Sequence, residues 1–256
     1  MKKINIAGFQ ANSFVDWPGV IASVVFLGGC NFRCHYCHNH NILSTTSNTI
    51  PFAGVLSKIR EQLGFIDGVV ISGGEPTLHP SLLEIIDKIR ALGLKIKLDT
   101  NGTNPVLLKN LVESGKIDYV AMDIKGPLSR YQDIVCAPSI ALEFPFQRKG
   151  CPEGAGYVKK RDGIISEISK SIEFIKSQTK IGYMFRMTLS PMLTETDIRD
   201  VARLVKGAKA FQLQQFVPND FSNSHKTVLL PYTSQQAEKF ASEFKNNVET
   251  FTLRGF

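Results

Sequence analysis

The sequence predicts an α/β protein whose mostly parallel sheet forms an open, partial (β/α)6 TIM-like barrel. Six apolar runs of strand length alternate with six segments of helical periodicity. This alternation is typical of a parallel sheet with helices packed outside it. Unusual polar residues follow four consecutive strands, and so many contributing strand ends favour a curved sheet over a flat one. Six strands are too few to close a standard eight-stranded barrel, so we expect an open one.

The first half of the chain predicts three strand and helix pairs. The run VIASVVFLGG is typical of a buried strand, and Pro51 stands near the start of the following helical segment, where proline is tolerated. Gly93 lies just past the last periodic residue of the second helical segment, where glycine commonly ends a helix. The predicted elements are, in order, strand 20–29, helix 51–64, strand 68–74, helix 80–93, strand 94–102 and helix 104–115.

The second half continues the alternation after one interruption. Residues 125–162 contain four prolines and scattered apolar residues. This segment is long for a connection in a compact domain, so we predict a functional loop or an ordered insertion at about 134–160. Its two cysteines, Cys136 and Cys151, are too few for a second cluster and are interpreted as ordinary thiols. The predicted elements are strand 117–126, helix 162–178, strand 180–191, helix 194–207, strand 210–218 and helix 233–247. We expect a single domain over 1–256, with a core of about 15–220 and a C-terminal helix of about 233–247.

Composition narrows the class of protein. A chain of 256 residues with 43% hydrophobic residues can bury a core without disulfides. The net charge of +7 is spread along the sequence, which favours a solvated surface over a nucleic-acid site. No apolar segment approaches the ~18 to 20 residues of a membrane span, and the start of the chain lacks a signal-peptide pattern. We therefore expect a cytoplasmic protein without nucleic-acid or membrane partners, in which clustered cysteines indicate metal binding or catalysis.

The first predicted strand leads into three cysteines, Cys30, Cys34 and Cys37, within eight positions. A structural zinc ion would need a fourth ligand. The zinc ligand candidates are His35, His38 and His40. A redox dithiol would use Cys34 and Cys37 and leave Cys30 idle. An iron-sulfur cluster normally takes four cysteines, so three would leave one iron open to a substrate. The three residues alone leave these alternatives open.

Polar residues also follow the next three predicted strands. They form the motifs SGGEP, DTNG and DIK. Because the carboxyl ends of parallel strands are where α/β proteins place their chemistry, we expect these motifs to contribute to one site. The simpler interpretations are that DTNG is a turn and that Asp123 and Lys125 form a surface ion pair. A zinc site or a dithiol would not account for any of the three motifs.

Together these motifs resemble the radical S-adenosylmethionine superfamily, in which CxxxCxxC carries an aromatic residue before its last cysteine and GGE follows the second strand. The segments VDWPGVIASVVFLGGCNFRCHYCHN, SGGEPTLHP, LDTNG, MDIKGP, FRMTLSP and GAKAFQLQQFVP are similar, in order, to those of glycyl radical enzyme activases. Within that group they are similar to the activating proteins of anaerobic ribonucleoside-triphosphate reductases. The resemblance spans residue 1 to about 220 and is interrupted by the extra length at 134–160.

The resemblance implies the radical SAM type of partial barrel and one 4Fe-4S cluster held by Cys30, Cys34 and Cys37, the predicted catalytic and metal-binding residues. The open iron would bind S-adenosylmethionine, and one electron would cleave it to a 5′-deoxyadenosyl radical. The resemblance places Gly73, Gly74 and Glu75 at the methionine amino group. It implies a monovalent cation near Asp99, Thr100 and Asp123. The other residues that it implies around S-adenosylmethionine are Tyr36, Asn101, Lys125, Arg186 and Gln214.

The implied activity is abstraction of a hydrogen atom from a glycine of a partner glycyl radical enzyme, with anaerobic ribonucleoside-triphosphate reductase as the expected target. A flavodoxin or a ferredoxin-type protein would donate the electron. One alternative is a radical enzyme of the same superfamily that modifies a small molecule or peptide, to which the 134–160 insertion would be relevant. An alternative of another class is a non-catalytic zinc-binding interaction module. Trp17, in the DWPG turn, is interpreted as a packing residue.

Overall fold

A computed structural model describes residues 4–43, 49–135, 161–218 and 230–256. The described residues fall into two compact units. The first unit comprises residues 1–30, 41–121 and 177–182, and the second comprises 31–40, 122–176 and 183–256. The single domain over 1–256 stays a prediction. The part of the 134–160 insertion from residue 136 onward, including Cys136 and Cys151, lies outside the described residues.

Among its described residues, the first unit contains six strands and three helices. Its strands are β1 (Asn5–Ile6), β2 (Gly8–Ser13), β3 (Ala22–Leu27), β4 (Ile50–Pro51), β5 (Gly68–Gly73) and β6 (Lys95–Thr100), and its helices are α1 (Phe52–Glu61), α2 (Leu82–Arg90) and α3 (Pro105–Glu113). β1 and β4 form a separate two-stranded sheet. β3 pairs in parallel with β5, and β5 with β6, while β2 adds to β3 antiparallel. The helices are amphipathic: α2 buries Leu82, Ile85, Ile86 and Ile89, which recur at helical spacing.

The next strand, β7 (Tyr119–Asp123), begins in the first unit and ends in the second. The elements that follow are α4 (Tyr131–Val135), α5 (Arg161–Lys176), β8 (Gly182–Leu189), α6 (Glu195–Leu204), β9 (Ala208–Gln215), α7 (Ser234–Lys245) and β10 (Val248–Arg254). β9 pairs in parallel with both β8 and β10. The rings of Phe211, Phe244 and Phe251 stack nearly parallel to one another, and this stack fastens α7 and β10 to β9.

Hydrogen bonding gives the strand order β6-β5-β3-β2 in the first unit and β10-β9-β8 in the second. All twelve predicted helices and strands are present, including the C-terminal helix, with ends that differ by a few residues. Two further strands, β2 and β10, were not predicted. Neither of them carries the continuous apolar run of the other strands: Gly8–Ser13 is GFQANS and Val248–Arg254 is VETFTLR. Among the described residues, no helix is both long enough and apolar enough to cross a membrane.

Candidate functional site

A buried carboxylate, Glu75, follows β5 in the first unit and has no solvent exposure. Its Oε1 accepts hydrogen bonds from the backbone N–H of Thr77 at 3.1 Å, the hydroxyl of Thr77 at 2.5 Å and the hydroxyl of Thr100 at 2.8 Å. Its Oε2 accepts one from the backbone N–H of Asn101 at 2.6 Å. All of these donors are neutral, and no cationic side chain of the described residues pairs with Glu75. Its negative charge is therefore not compensated within the part of the chain that the structure describes.

The electrostatics of Glu75 follow from this arrangement. Burial raises the pKa of Glu75, and the hydrogen bonds from Thr77, Asn101 and Thr100 offset part of that rise. An ammonium group of a ligand would favour the carboxylate form in the same way as a protein cation does. Four hydrogen bonds thus fix the orientation of a buried carboxylate whose charge no cationic side chain of the described residues neutralises.

Two glycines allow the chain to turn tightly between β5 and Glu75. Gly73 has a φ of +122°, and a Cβ there would lie 2.3 Å from the carbonyl oxygen of Leu27. A Cβ at Gly74 would lie 2.1 Å from the carbonyl oxygen of Gly29 and 3.3 Å from the Cβ of Cys30. The backbone N–H groups of Gly74 and Glu75 donate to the carbonyls of Leu27 and Gly29. The GGE motif is thereby fastened to the segment that leads into Cys30, within the first unit.

The end of β6 supplies the other polar groups of the first unit. Thr100 and Asn101 reach Glu75 because the chain turns immediately after them, with Gly102 at a φ of +77°. The side-chain oxygen of Asn101 accepts hydrogen bonds from the N–H and hydroxyl of Thr103. Only the second half of DTNG lies in the bend, which begins after the strand residues Asp99 and Thr100. This bend orients two donors toward Glu75. Asp99, 8% exposed, is still part of the strand.

Asp99 forms an ion pair with a residue that the sequence analysis missed. The Nζ of Lys97 lies 2.5 Å from Oδ1 of Asp99, and the hydroxyl of Ser72 donates to Oδ2 at 3.2 Å. The side chain of Lys97 is 1% exposed. The signal was present, since residues two apart on a strand share a face, but the sequence alone does not show that this face is buried at Lys97.

In the second unit a different arrangement surrounds the carboxylate of Asp123. Arg186 donates through Nε to Oδ1 at 2.8 Å, and Lys125 donates through Nζ to Oδ2 at 2.9 Å. The three side chains are 29%, 13% and 16% exposed for Asp123, Arg186 and Lys125 respectively. The pair between Asp123 and Lys125 is therefore formed, but it is not the plain surface ion pair that the sequence also allowed.

The pKa values in this group are shifted by the neighbouring charges. Burial by itself would raise the pKa of Asp123, but Arg186 and Lys125 outweigh it and hold the pKa well below its usual range. Burial would also lower the pKa of Lys125, but Asp123 followed by Tyr36 raises it well above its usual range. All three groups are charged at neutral pH.

Cys34, Tyr36 and Cys37 of the cysteine loop belong to the second unit. Burial raises the pKa of the Cys34 thiol to about 11, which Lys125 partly offsets, and burial also raises that of Cys37. The ring of Tyr36 lies under the ammonium of Lys125, 5.8 Å from its centroid. The hydroxyl of Tyr36 is buried and has no hydrogen-bond partner among the described residues. An orphaned buried hydroxyl of this kind indicates a missing polar partner, such as a ligand.

The three histidines of this loop differ in their surroundings. His35 Nε2 lies 3.0 Å from the hydroxyl of Ser190, and its ring meets that of Tyr36 edge to face. His38 and His40 are exposed. Within the described ranges, no group of three or more His, Cys, Asp or Glu side chains is placed to hold a metal ion. The assignment of Cys30, Cys34 and Cys37 to a cluster stays a prediction.

Gln214 and Trp17 lie apart from these groups in the sequence. Gln214, on β9, donates through its side-chain nitrogen to the side-chain oxygen of Gln212 at 2.9 Å. Its placement near S-adenosylmethionine stays a prediction. Trp17 is 4% exposed and packs with Ala22, Val24 and Val70, which confirms its interpretation as a packing residue.

The chain is similar to proteins of known family. Residues 24–147 match the model of the Radical SAM superfamily. The chain is 31% identical over 258 residues to a protein of Methanocaldococcus jannaschii named "Putative glycyl-radical enzyme activating enzyme", covering 99% of this chain and 98% of that one. It is 25% identical over 254 residues to the pyruvate formate-lyase-activating enzyme of Clostridium pasteurianum, covering 96% and 95%.

A solved structure agrees on the fold. Streptococcus suis SuiB bound to its precursor peptide SuiA matches with a TM-score of 0.62 at 13% identity over 91% of this chain, and the chain spans about half (48%) of SuiB. These matches define the class: this is a radical SAM enzyme, and the predicted fold class is confirmed. Within the class, the chain belongs to the family of glycyl-radical enzyme activating enzymes. The zinc-binding interaction module is thereby excluded.

The superfamily implies a 4Fe-4S cluster and S-adenosylmethionine. The residue types present fit both groups, although the three cysteines are not gathered into a metal-binding group among the described residues. Cys30, Cys34 and Cys37 are free of disulfides, and three thiols are a donor set that iron-sulfur clusters use. In the first unit, the carboxylate of Glu75 fits the ammonium group of S-adenosylmethionine, because no cationic side chain of the described residues compensates it. In the second unit, the buried hydroxyl of Tyr36 has no partner among the described residues and fits a polar group.

Proposed function

We propose that this enzyme generates a glycyl radical on an anaerobic ribonucleoside-triphosphate reductase. The family supports a glycyl radical enzyme as the substrate protein, and the similarity of the motifs to reductase-activating proteins supports the particular target. In the proposed reaction the Cα–H bond of a glycine in the partner breaks. The hydrogen atom passes to the 5′ carbon of the adenosyl group, which leaves 5′-deoxyadenosine and an unpaired electron on the glycine.

The cluster would be held by Cys30, Cys34 and Cys37. When bound, it supplies the electron that splits S-adenosylmethionine into methionine and the adenosyl radical. A flavodoxin or ferredoxin-type protein is the proposed source of that electron. The chain's own residues hold S-adenosylmethionine by its charged and polar groups.

The single observation that carries the proposed binding of S-adenosylmethionine is the environment of Glu75. Four neutral donors orient a fully buried carboxylate and leave its charge available. A buried carboxylate without a cation is costly, so the site is expected to receive one from its ligand. The methionine amino group of S-adenosylmethionine is a cation of the required kind, and Gly73 and Gly74 permit close approach of the backbone.

The second unit offers the complementary charges. Lys125 and Arg186 are proposed to attract the methionine carboxylate, with Asp123 holding both side chains in place. Tyr36 is proposed to use its free hydroxyl on the nucleoside end, and Asn101 and Gln214 are proposed as further contacts. The resemblance also suggests a monovalent cation beside Asp99, Thr100 and Asp123. Asp99 and Asp123 each already form an ion pair with a lysine of the chain, and such a cation would have to compete with these lysines.

The first test is reductive cleavage. The full chain is reconstituted with iron and sulfide without oxygen, reduced in the presence of S-adenosylmethionine, and assayed for 5′-deoxyadenosine. We expect the product from the wild type and none from Cys34→Ala, with Lys95→Met, an exposed change on β6, as the control. Absence of the product from a wild type that carries its cluster would overturn the assignment.

The second test concerns the partner. Incubation of the loaded enzyme with the reductase is expected to give the electron paramagnetic resonance doublet of a glycyl radical. The doublet should collapse to a singlet in a reductase labelled with deuterium at the glycine α-carbon. Cleavage of S-adenosylmethionine without a radical on the reductase would favour the alternative, a radical enzyme acting on a small molecule or peptide.

A further inference from the structure

We infer that Lys97 takes the place of a monovalent cation beside Asp99, so that this enzyme needs no such ion at its S-adenosylmethionine site. Lys97 is then a positioning residue: its ammonium balances and orients Asp99. The inference rests on the proposed function in one respect, namely that Asp99 lies toward the methionine end of the ligand.

The geometry of β6 supports this role. Lys97 and Asp99 are two positions apart on one strand, so their side chains emerge on the same face. Ser72, on the neighbouring strand β5, donates its hydroxyl to Asp99 Oδ2 while Lys97 binds Oδ1. Both carboxylate oxygens of Asp99 are therefore occupied by groups of the chain itself, one of them a full positive charge.

Burial fixes Lys97 in this position. Val70 lies directly across the strand pair from Lys97 and belongs to an apolar cluster with Trp17 and Val24. The stem of Lys97 thus runs beside apolar side chains, and its residue exposure is 0%. An ammonium in such surroundings is held strongly to its carboxylate, because separation would leave two uncompensated buried charges.

A cation at the same carboxylate would compete with this ammonium. It would have to displace Lys97 from Oδ1 or lie beside it, where the two positive charges repel each other. The other carboxylate suggested for the ion, Asp123, is in the same condition, since Arg186 and Lys125 each bind one of its oxygens. The described residues therefore do not fit the ion that the resemblance implies, and they supply its charge from within the chain.

The test is a substitution that removes the ammonium of Lys97 and so opens a position for a cation beside Asp99. Lys97→Met keeps the apolar stem but removes the terminal atom, which leaves a space beside Asp99 close in size to a potassium ion. In choline buffer we expect this variant to bind S-adenosylmethionine roughly tenfold more weakly than the wild type, and K⁺ or Na⁺ to restore most of the loss. The wild type and the matched control Lys95→Met should bind equally well in choline, K⁺ and Na⁺.

A second readout needs neither the cluster nor S-adenosylmethionine. At constant ionic strength, replacing choline by K⁺ should raise the melting temperature of Lys97→Met and leave that of the wild type unchanged.

If Lys97→Met does not fold, ²⁰⁵Tl⁺ titration of the wild type decides whether a cation binds: absence of saturable binding supports the inference. Saturable Tl⁺ binding displaced by K⁺, or a wild type whose ligand binding requires Na⁺ or K⁺, overturns it. A wild type that cleaves no S-adenosylmethionine would refute the proposed function while leaving this readout interpretable.

Discussion

Glu75 in the first unit and Asp123 in the second are both enclosed carboxylates, yet they are held in opposite ways. Glu75 is held by neutral hydroxyl and N–H donors, and its pKa is raised. Asp123 is held by a guanidinium and an ammonium, and its pKa is lowered. On the basis of this difference we propose a division of roles. Glu75 would keep its charge for a cationic group of a ligand, whereas the charge of Asp123 would position Lys125 and Arg186 for an anionic group.

The largest effect is expected from removing the charge of Glu75. Glu75→Gln keeps the size of the side chain but loses its attraction for an ammonium, which corresponds to about 3 kcal/mol or roughly 150-fold weaker binding of S-adenosylmethionine. Equilibrium dialysis with the reconstituted protein measures this. The control is Glu84→Gln on α2, which removes an exposed carboxylate paired with Lys88 and should leave the affinity unchanged.

A smaller effect is expected at Asp123. Asp123→Asn leaves two enclosed cations without their common partner and should lower the free energy of unfolding by about 2 kcal/mol, after allowance for partial solvent screening. The matched change is Asp200→Asn, which breaks an exposed pair with Arg203 and should cost less than about 1 kcal/mol. Urea unfolding of both variants gives the values, and equal losses would contradict the distinction between the two pairs.

The pH dependence of the Asp123 effect has a definite sign. Because the folded-state pKa of Asp123 is depressed below its ordinary value of 3.8, the stabilisation is complete above that pH. It is lost as the pH falls below 3.8 toward the depressed folded-state value. The stability difference between wild type and Asp123→Asn should therefore stay constant from about pH 8 to pH 5 and shrink in acid. A difference that grows as the pH falls would be inconsistent with this pairing.

The smallest effect is expected from removing one neutral donor. Thr100→Val deletes a hydrogen bond to Oε1 of Glu75, which should raise the pKa of Glu75 further and weaken binding by about 1 kcal/mol. Because the carboxylate then protonates at higher pH, binding should fail at a higher pH than in the wild type as the solution is acidified. Thr103→Val removes a hydroxyl that bonds Asn101 instead, and it should not move the pH profile.

Much of this arrangement could be predicted from the sequence. The rest could not, because it depends on contacts between residues that are distant in the chain. The apolar runs and glycines predicted the strands that carry Glu75 and Asp99, because hydrophobic period and turn chemistry are local properties. The ion pair between Arg186 and Asp123 joins residues 63 positions apart, and no local pattern reveals such a contact. Lys97 looked like an ordinary strand lysine, since its burial depends on neighbours from β5. Strand β10 was missed because its polar, half-exposed sequence lacks an apolar run.

The most direct test of the division of roles is a cycle that combines Glu75→Gln with an analogue of S-adenosylmethionine that lacks the methionine amino group. The two changes remove the two partners of one proposed interaction, so their effects on binding free energy should not add. We expect the analogue to bind the wild type roughly 100-fold more weakly than S-adenosylmethionine does, and Glu75→Gln to bind both ligands about equally. If the losses from the variant and the analogue are additive, Glu75 does not hold the amino group and the account is wrong.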